Sequence, residues 1–210
     1  MAVELRTDEL NISERREAYR EYFDVMRIPV KDKRKRERLA EELDDIWLDL
    51  FAIYLVAMEV NREVDEQAVR GEHIQKIEDA LRGAGIREEV IQDYIRDVVN
   101  EELDVTQRRY REDPYWTSQE RSTNISENDT NIVFHAHEYL NAVASGKRSK
   151  QWLTMKDDRV RETHAEVDEV VMPIDEPFVV GDSLLMFPGD VSLGASVEEI
   201  ANCRCAVTYF

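Results

Sequence analysis

Cysteine, proline, glycine and positive charge are all scarce in this chain. Two cysteines in 210 residues, both near the C-terminal end, are too few for the disulfide framework of a small secreted domain. The opening MAVELRTDEL has no apolar core behind a basic head, so it does not read as a signal peptide. A membrane-spanning helix needs about twenty apolar residues. Ile46 to Met58 is only thirteen residues long, with the charged Asp49 among them, and is too short. Lys and Arg number 28 against 46 Asp and Glu, a net charge of −18. A duplex DNA surface repels so acidic a chain unless its cations are tightly clustered. These absences predict a soluble protein made in a reducing cytoplasm, without membrane insertion.

What is present points first to helices. With 42% hydrophobic and 35% charged residues, the chain has enough apolar surface to fold and a charge content that suits exposed helix faces. Glycine and proline are unevenly placed. Residues 1–150 hold Gly71, Gly83, Gly85, Gly146, Pro29 and Pro114, whereas the last 38 residues hold three of each. Such punctuation marks short strands and turns. The chain therefore reads as α+β, with a helical region over residues 1–145 and a small domain over 146–210.

Within the helical region, a first helix is predicted from near Ser13 to Met26, ending before Pro29. The basic run Lys31 to Arg38 then leads into a long helix whose apolar face begins at Leu39 and Leu43. Ile46 to Met58 is apolar around its circumference, the mark of a helix covered on several sides, by its own bundle or by partner subunits. His73 to Leu81 reads as a short helix closed by Gly83 and Gly85. Glu88 to about Tyr110 repeats apolar pairs every four residues, and Ser118 to Ala144 places Ile125, Ile132, Val133 and Leu140 on one side. Beyond Ser149, QWLTM, VVMPI, SLLMF and the closing CRCAVTYF read as strands. Ser196 with Glu199 three residues on suggests a capped helical turn.

Several residues carry possible chemistry. The run from Lys31 to Arg38 holds six cations and two anions, and could touch DNA phosphates, but more often such a run is a solvated helix start or pairs with neighbours such as Glu41, Glu42, Asp44 and Asp45. His135 and His137 fall on different faces of the last helix and read as packing or surface residues. Tyr110, Tyr115 and Trp116 flank Pro114 and read as an aromatic hinge between the two regions or, the favoured alternative, as a minor core. Cys203 and Cys205, two apart in a predicted strand, face one side. His164 and Asp168, four apart, share a face if their segment is helical. Together the four could hold zinc. The favoured alternative needs no cofactor: buried cysteines, a backbone-bonded histidine, Asn202 capping a turn, and internal ion pairs of Arg159, Arg161 and Arg204, the last with Asp157 or Asp190. The same residue types also match a thiol enzyme, with a cysteine nucleophile, His164 as base, and Asp168 or Asn202 as orienter.

The ordered pattern Trp152, Asp157, Arg159, Val160, Arg161, His164, Pro188, Gly189, Asp190, Asn202, Cys203, Arg204, Cys205 ends in NCRC. It resembles the C-terminal domain of phage head morphogenesis proteins, the family similar to protein F of phage Mu. The resemblance covers about the last 90 residues and includes an Arg- and Asn-bearing helix from Arg121. Glu169 stands in a turn where the family usually has glycine, and Val191 follows the PGD turn where proline is common. The resemblance implies a minor head protein in the virion, and in the host cytoplasm during assembly. Its implied partners are the portal and the inner capsid or scaffold proteins, with weak contact to packaged DNA and a role in head assembly or DNA delivery. The alternative is an effector delivered by the virion.

Overall fold

The computed structural model describes residues 12–210, so the reading of MAVELRTDEL lies outside the described residues. Six helices come first: α1 (Ile12–Asp24), α2 (Val30–Glu59), α3 (Glu66–Gly83), α4 (Glu88–Tyr94), α5 (Asn100–Arg109) and α6 (Gln119–Ala144). A π-helical turn, Ile95–Val99, joins α4 to α5. There follow β1 (Ser149–Leu153), α7 (Glu162–Glu166), β2 (Val171–Pro173), β3 (Phe178–Val180), β4 (Ser183–Leu185), α8 (Val197–Ile200) and β5 (Ala206–Tyr209). The fold is α+β, as the glycine and proline distribution predicts.

α2 is the spine. It packs on α1, α3 and α6, and buries Leu39, Leu43, Trp47, Leu50, Phe51 and Tyr54 in the helical core. Ile46–Met58 is not covered all round: Ala52, Ile53 and Val56 form an exposed stripe between its partners. The basic run forms the first turns of α2, as a solvated helix start would, except that its Arg36 is fully buried. Arg36 donates to Glu138 at 2.9 Å and lies over the Phe134 ring, so it serves packing within the protein.

α3 begins earlier than predicted because Asp65 caps it, accepting from the Ala68 amide at 3.2 Å. The predicted helix from Glu88 is continuous in direction but shifts to i→i+5 bonding at Ile95–Val99, where Asn100 Nδ2 bonds the Ile95 carbonyl at 2.8 Å. The turn Pro114–Thr117 connects α5 to α6, both in the helical region. Trp116 there is stacked by Arg109 and Arg121, so the aromatic cluster braces two helices and is no hinge to the C-terminal domain. Arg121 also bonds Glu102 at 2.7 Å.

The C-terminal domain holds two small antiparallel sheets. One has strand order β2–β1–β5, with Trp152 opposite Val207, and the other is the hairpin β3–β4. Gly181 and Asp182 close that hairpin, Gly181 with φ +55°. β3 is unanticipated: Pro177 precedes it and it is only three residues long. The domain's own core is small, built around Trp152, Phe178, Val180, Leu185, Phe187, Cys203 and Cys205.

Candidate functional site

α6 belongs to both halves. Ile125, Ile132 and Val133 enter the helical core. A second stripe at Asn128, Asn131, His135 and Tyr139 faces the C-terminal domain with helical spacing. Asn128 Oδ1 accepts from the Asn202 amide at 3.1 Å, Asn131 Nδ2 donates to the Cys203 carbonyl at 3.3 Å, and His135 Nε2 lies 3.1 Å from the Cys205 carbonyl. Tyr139 stacks near Phe187 and Tyr209. This stripe fixes the NCRC segment.

Consequently Cys203 to Cys205 are not in the predicted strand, which starts at Ala206. Their carbonyls bond side chains of α6 in place of a neighbouring strand. Asn202 enters the segment with φ +53° and lets the chain turn. Both sulfurs nevertheless meet one ring: His164 Nδ1 lies 3.3 Å from Cys205 Sγ and 3.6 Å from Cys203 Sγ. All three residues are buried, His164 at 1% exposure and each cysteine at 4%. Both cysteines are free thiols.

The other face of the His164 ring belongs to Glu199. His164 Nε2 and Glu199 Oε2 are 3.0 Å apart, and Thr163 Oγ1 donates to the same oxygen at 2.9 Å. The capping box predicted at Ser196 is therefore not formed: Ser196 makes no side-chain cap bond, and Glu199 reaches α7. Gly181 makes room for this carboxylate, since a Cβ there would sit 2.6 Å from Glu199 Oε1. Trp152 packs edge-on to His164, with ring centroids 5.7 Å apart.

Electrostatically the thiols divide. The hydrogen bond from Cys205 holds Cys203 well below the usual thiol range against the cost of burial, and His164 adds to the effect. Cys205, as the donor of that bond and deprived of water, is pushed up. Burial works against a charged His164, but its bond and attraction to Cys203 outweigh it and raise the ring's pKa. Two buried cysteines and a buried imidazole thus form one chain of partners that ends at the partly exposed Glu199 carboxylate.

Asp168 does not join them. α7 ends at Glu166, so the four-residue spacing from His164 is not helical. Asp168 accepts from the Thr154 amide at 2.7 Å and pairs with Lys156 at 3.2 Å. Among the described residues, the ligand atoms of His164, Cys203 and Cys205 all lie within 4.8 Å of one another.

The remaining motif residues shape the domain. Arg204 pairs with Asp157 at 2.9 Å. Asp190 is buried and accepts from the amides of Met186 at 2.8 Å and Ser192 at 2.9 Å, closing the PGD turn. Pro188 leads into Gly189, which has φ +81° and packs on Ile132 of α6. Arg161 bonds the Ala201 carbonyl and makes no acidic pair among the described residues, and Arg159 is exposed, its charge acting on Glu127. The expected ion pairs of these two arginines are replaced by those contacts. Glu169, in the turn where the resemblance led to an expectation of glycine, adopts φ +62°. His137 sits at the α4 junction, accepting from the Arg87 amide at 3.2 Å. Residues the sequence did not single out are Asn131 and the buried Lys150, whose Nζ donates to the Met186 carbonyl at 2.8 Å, while Glu199 was read only as part of a helix cap.

No helix among the described residues is long and apolar enough to cross a membrane. No curated protein and no solved structure matches the chain. A family model described as phage Mu protein F like protein matches residues 58–208, reaching well upstream of the last 90 residues that carry the motif and taking in α3, α4 and α5. With most of its length matched, the chain belongs to the family of proteins like protein F of phage Mu.

Proposed function

We propose that this phage head morphogenesis protein is a minor head component that acts in procapsid assembly at the portal vertex, and in packaging or delivery of the DNA. The observation that carries the reading is the family match across residues 58–208. In this reading the portal and the inner capsid or scaffold proteins are its partners, in the assembling procapsid in the host cytoplasm and then in the virion. The net charge of −18 supports weak contact with packaged DNA, because a like-charged surface does not adhere to phosphates. Burial of Arg36 removes one cation of the run at 31–38 from any phosphate-binding face.

The reading is non-catalytic. Cys203, His164 and Glu199 have the residue types of a thiol enzyme, but the burial of the cysteines and the histidine beside Trp152 and α6 supports a structural role for them. Cross-linking and mass spectrometry of purified procapsids and virions test the proposal. Cross-links between this chain and portal subunits are expected. Absence of the chain from both particles would overturn it.

A further inference from the structure

We propose that His164, Cys203 and Cys205 bind one zinc ion that staples the C-terminal domain, with Glu199 orienting the histidine from behind. The site stands apart from the head-assembly reading, since it rests only on the side chains that meet there.

The spacing is that of a coordination sphere. Zinc binds sulfur at about 2.3 Å and imidazole nitrogen at about 2.0–2.1 Å, so ligands at a tetrahedral angle sit roughly 3.5 Å apart. His164 Nδ1 lies 3.3 Å and 3.6 Å from the two sulfurs. The remaining edge, between the two sulfurs, is no longer than 4.8 Å, and a tetrahedral ion stands above that triangle. The ligand types select the metal: two soft thiolates and an imidazole in a dry site suit zinc and do not suit magnesium or calcium. Among the described residues three side chains converge there, so the fourth tetrahedral position is left to a ligand from outside the cluster.

The surroundings match what such an ion needs. A metal-bound histidine is held at its other nitrogen by a carboxylate or carbonyl, which fixes the ring and its tautomer. Glu199 does this at 3.0 Å, and is itself fixed by Thr163 and by the space Gly181 leaves. The zinc ligands also join separate parts of the domain: His164 lies on α7, and the cysteines lead into β5 of the three-stranded sheet. Strands of three to five residues and a core of few side chains provide little cohesion. An ion binding α7 to the segment before β5 adds a link between them, because metal affinity is expressed as folding stability.

Elemental analysis of the full-length chain, purified without chelator, tests this. About one zinc per chain is expected, and trace levels in the Cys203→Ser/Cys205→Ser double variant. Helix content by circular dichroism reports whether the variant keeps its helical region. Cobalt(II) added to the unmodified, metal-stripped chain is expected to give thiolate charge-transfer absorption and intense visible bands of a tetrahedral site. Glu199→Gln is expected to weaken zinc about 10–100-fold in chelator competition while leaving the stoichiometry at one. A folded chain with two titratable thiols that carries no zinc and develops no cobalt–thiolate band overturns the proposal, whether or not the cysteine variant folds.

Discussion

The ring of His135 on α6 meets the carbonyl oxygen of Cys205 at 3.1 Å, across 70 residues of sequence. A carbonyl only accepts, so Nε2 carries the proton, and burial keeps the ring neutral. With Asn131 on the Cys203 carbonyl one turn earlier, this bond sets the NCRC segment on the helix.

His135→Leu leaves that carbonyl buried without a donor. The expected loss is about 1–3 kcal/mol of unfolding free energy, measured by urea denaturation. Because the bond spans both regions, the loss is expected in the transition of the C-terminal domain as well as the helices. A variant as stable as its parent would mean that the NCRC segment is held by its own domain alone.

The elements were legible where burial follows a local period. α2, α4 to α5 and α6 repeat apolar residues on one face, and the sequence places them to within a few residues. α3 was half hidden because its first two turns, Glu66 to Glu72, carry mostly polar residues whose partners lie elsewhere, Arg70 reaching Asn100 at 2.8 Å. The candidate site was legible as a set of residue types but not as a geometry. His164 and the two cysteines do meet, yet Asp168 was drawn in by helical spacing across a helix that stops at Glu166. Glu199 was read as a partner of Ser196 three residues away, whereas its contact is His164, 35 residues back. Spacing rules describe neighbours along one element, and both errors lie where the partner came from another.

Glu127 on α6 gives a pH dependence with a definite sign. Burial raises its carboxyl from the ordinary value to about 7, against the pull of Arg159 and Arg204. The native state then holds this proton more tightly than the unfolded chain. Stability from this group is present below the unfolded value of 4.5 and is lost as pH rises through about 7. Glu127→Gln is expected to be more stable than the parent at pH 8 by about 1–3 kcal/mol, and equal to it at pH 4. Urea midpoints at both pH values check this. A difference that does not change with pH would assign the effect to packing.

Arg36 and Glu138 test the cost of a buried ion. Arg36 has no solvent exposure and donates to Glu138 at 2.9 Å, while Glu138 keeps 28% of its side chain exposed. Glu138→Gln leaves the guanidinium buried beside a neutral amide, at an expected cost of about 2–4 kcal/mol. Adding Arg36→Met removes the stranded charge and replaces it with a flexible apolar chain over Phe134. The double variant is therefore expected to be more stable than Glu138→Gln alone. Additive losses in thermal or urea unfolding would show that Arg36 acts by shape and not by charge.

Glu169 separates backbone strain from side-chain contact in the turn where the family usually carries glycine. Its φ of +62° lies in the left-handed region, which disfavours any residue with a Cβ. Its carboxylate pairs with Lys156 at 2.6 Å, but both side chains are about half exposed and such pairs contribute little. Glu169→Ala and Glu169→Gly both delete that pair and differ only in the Cβ. The glycine variant is expected to be the more stable of the two by about 1 kcal/mol, measured by urea unfolding, the relief of strain exceeding the added freedom of the unfolded chain. Equal stability would mean that the turn relaxes out of the left-handed region, and that glycine at this point of the family serves close approach of another surface and not the bend itself.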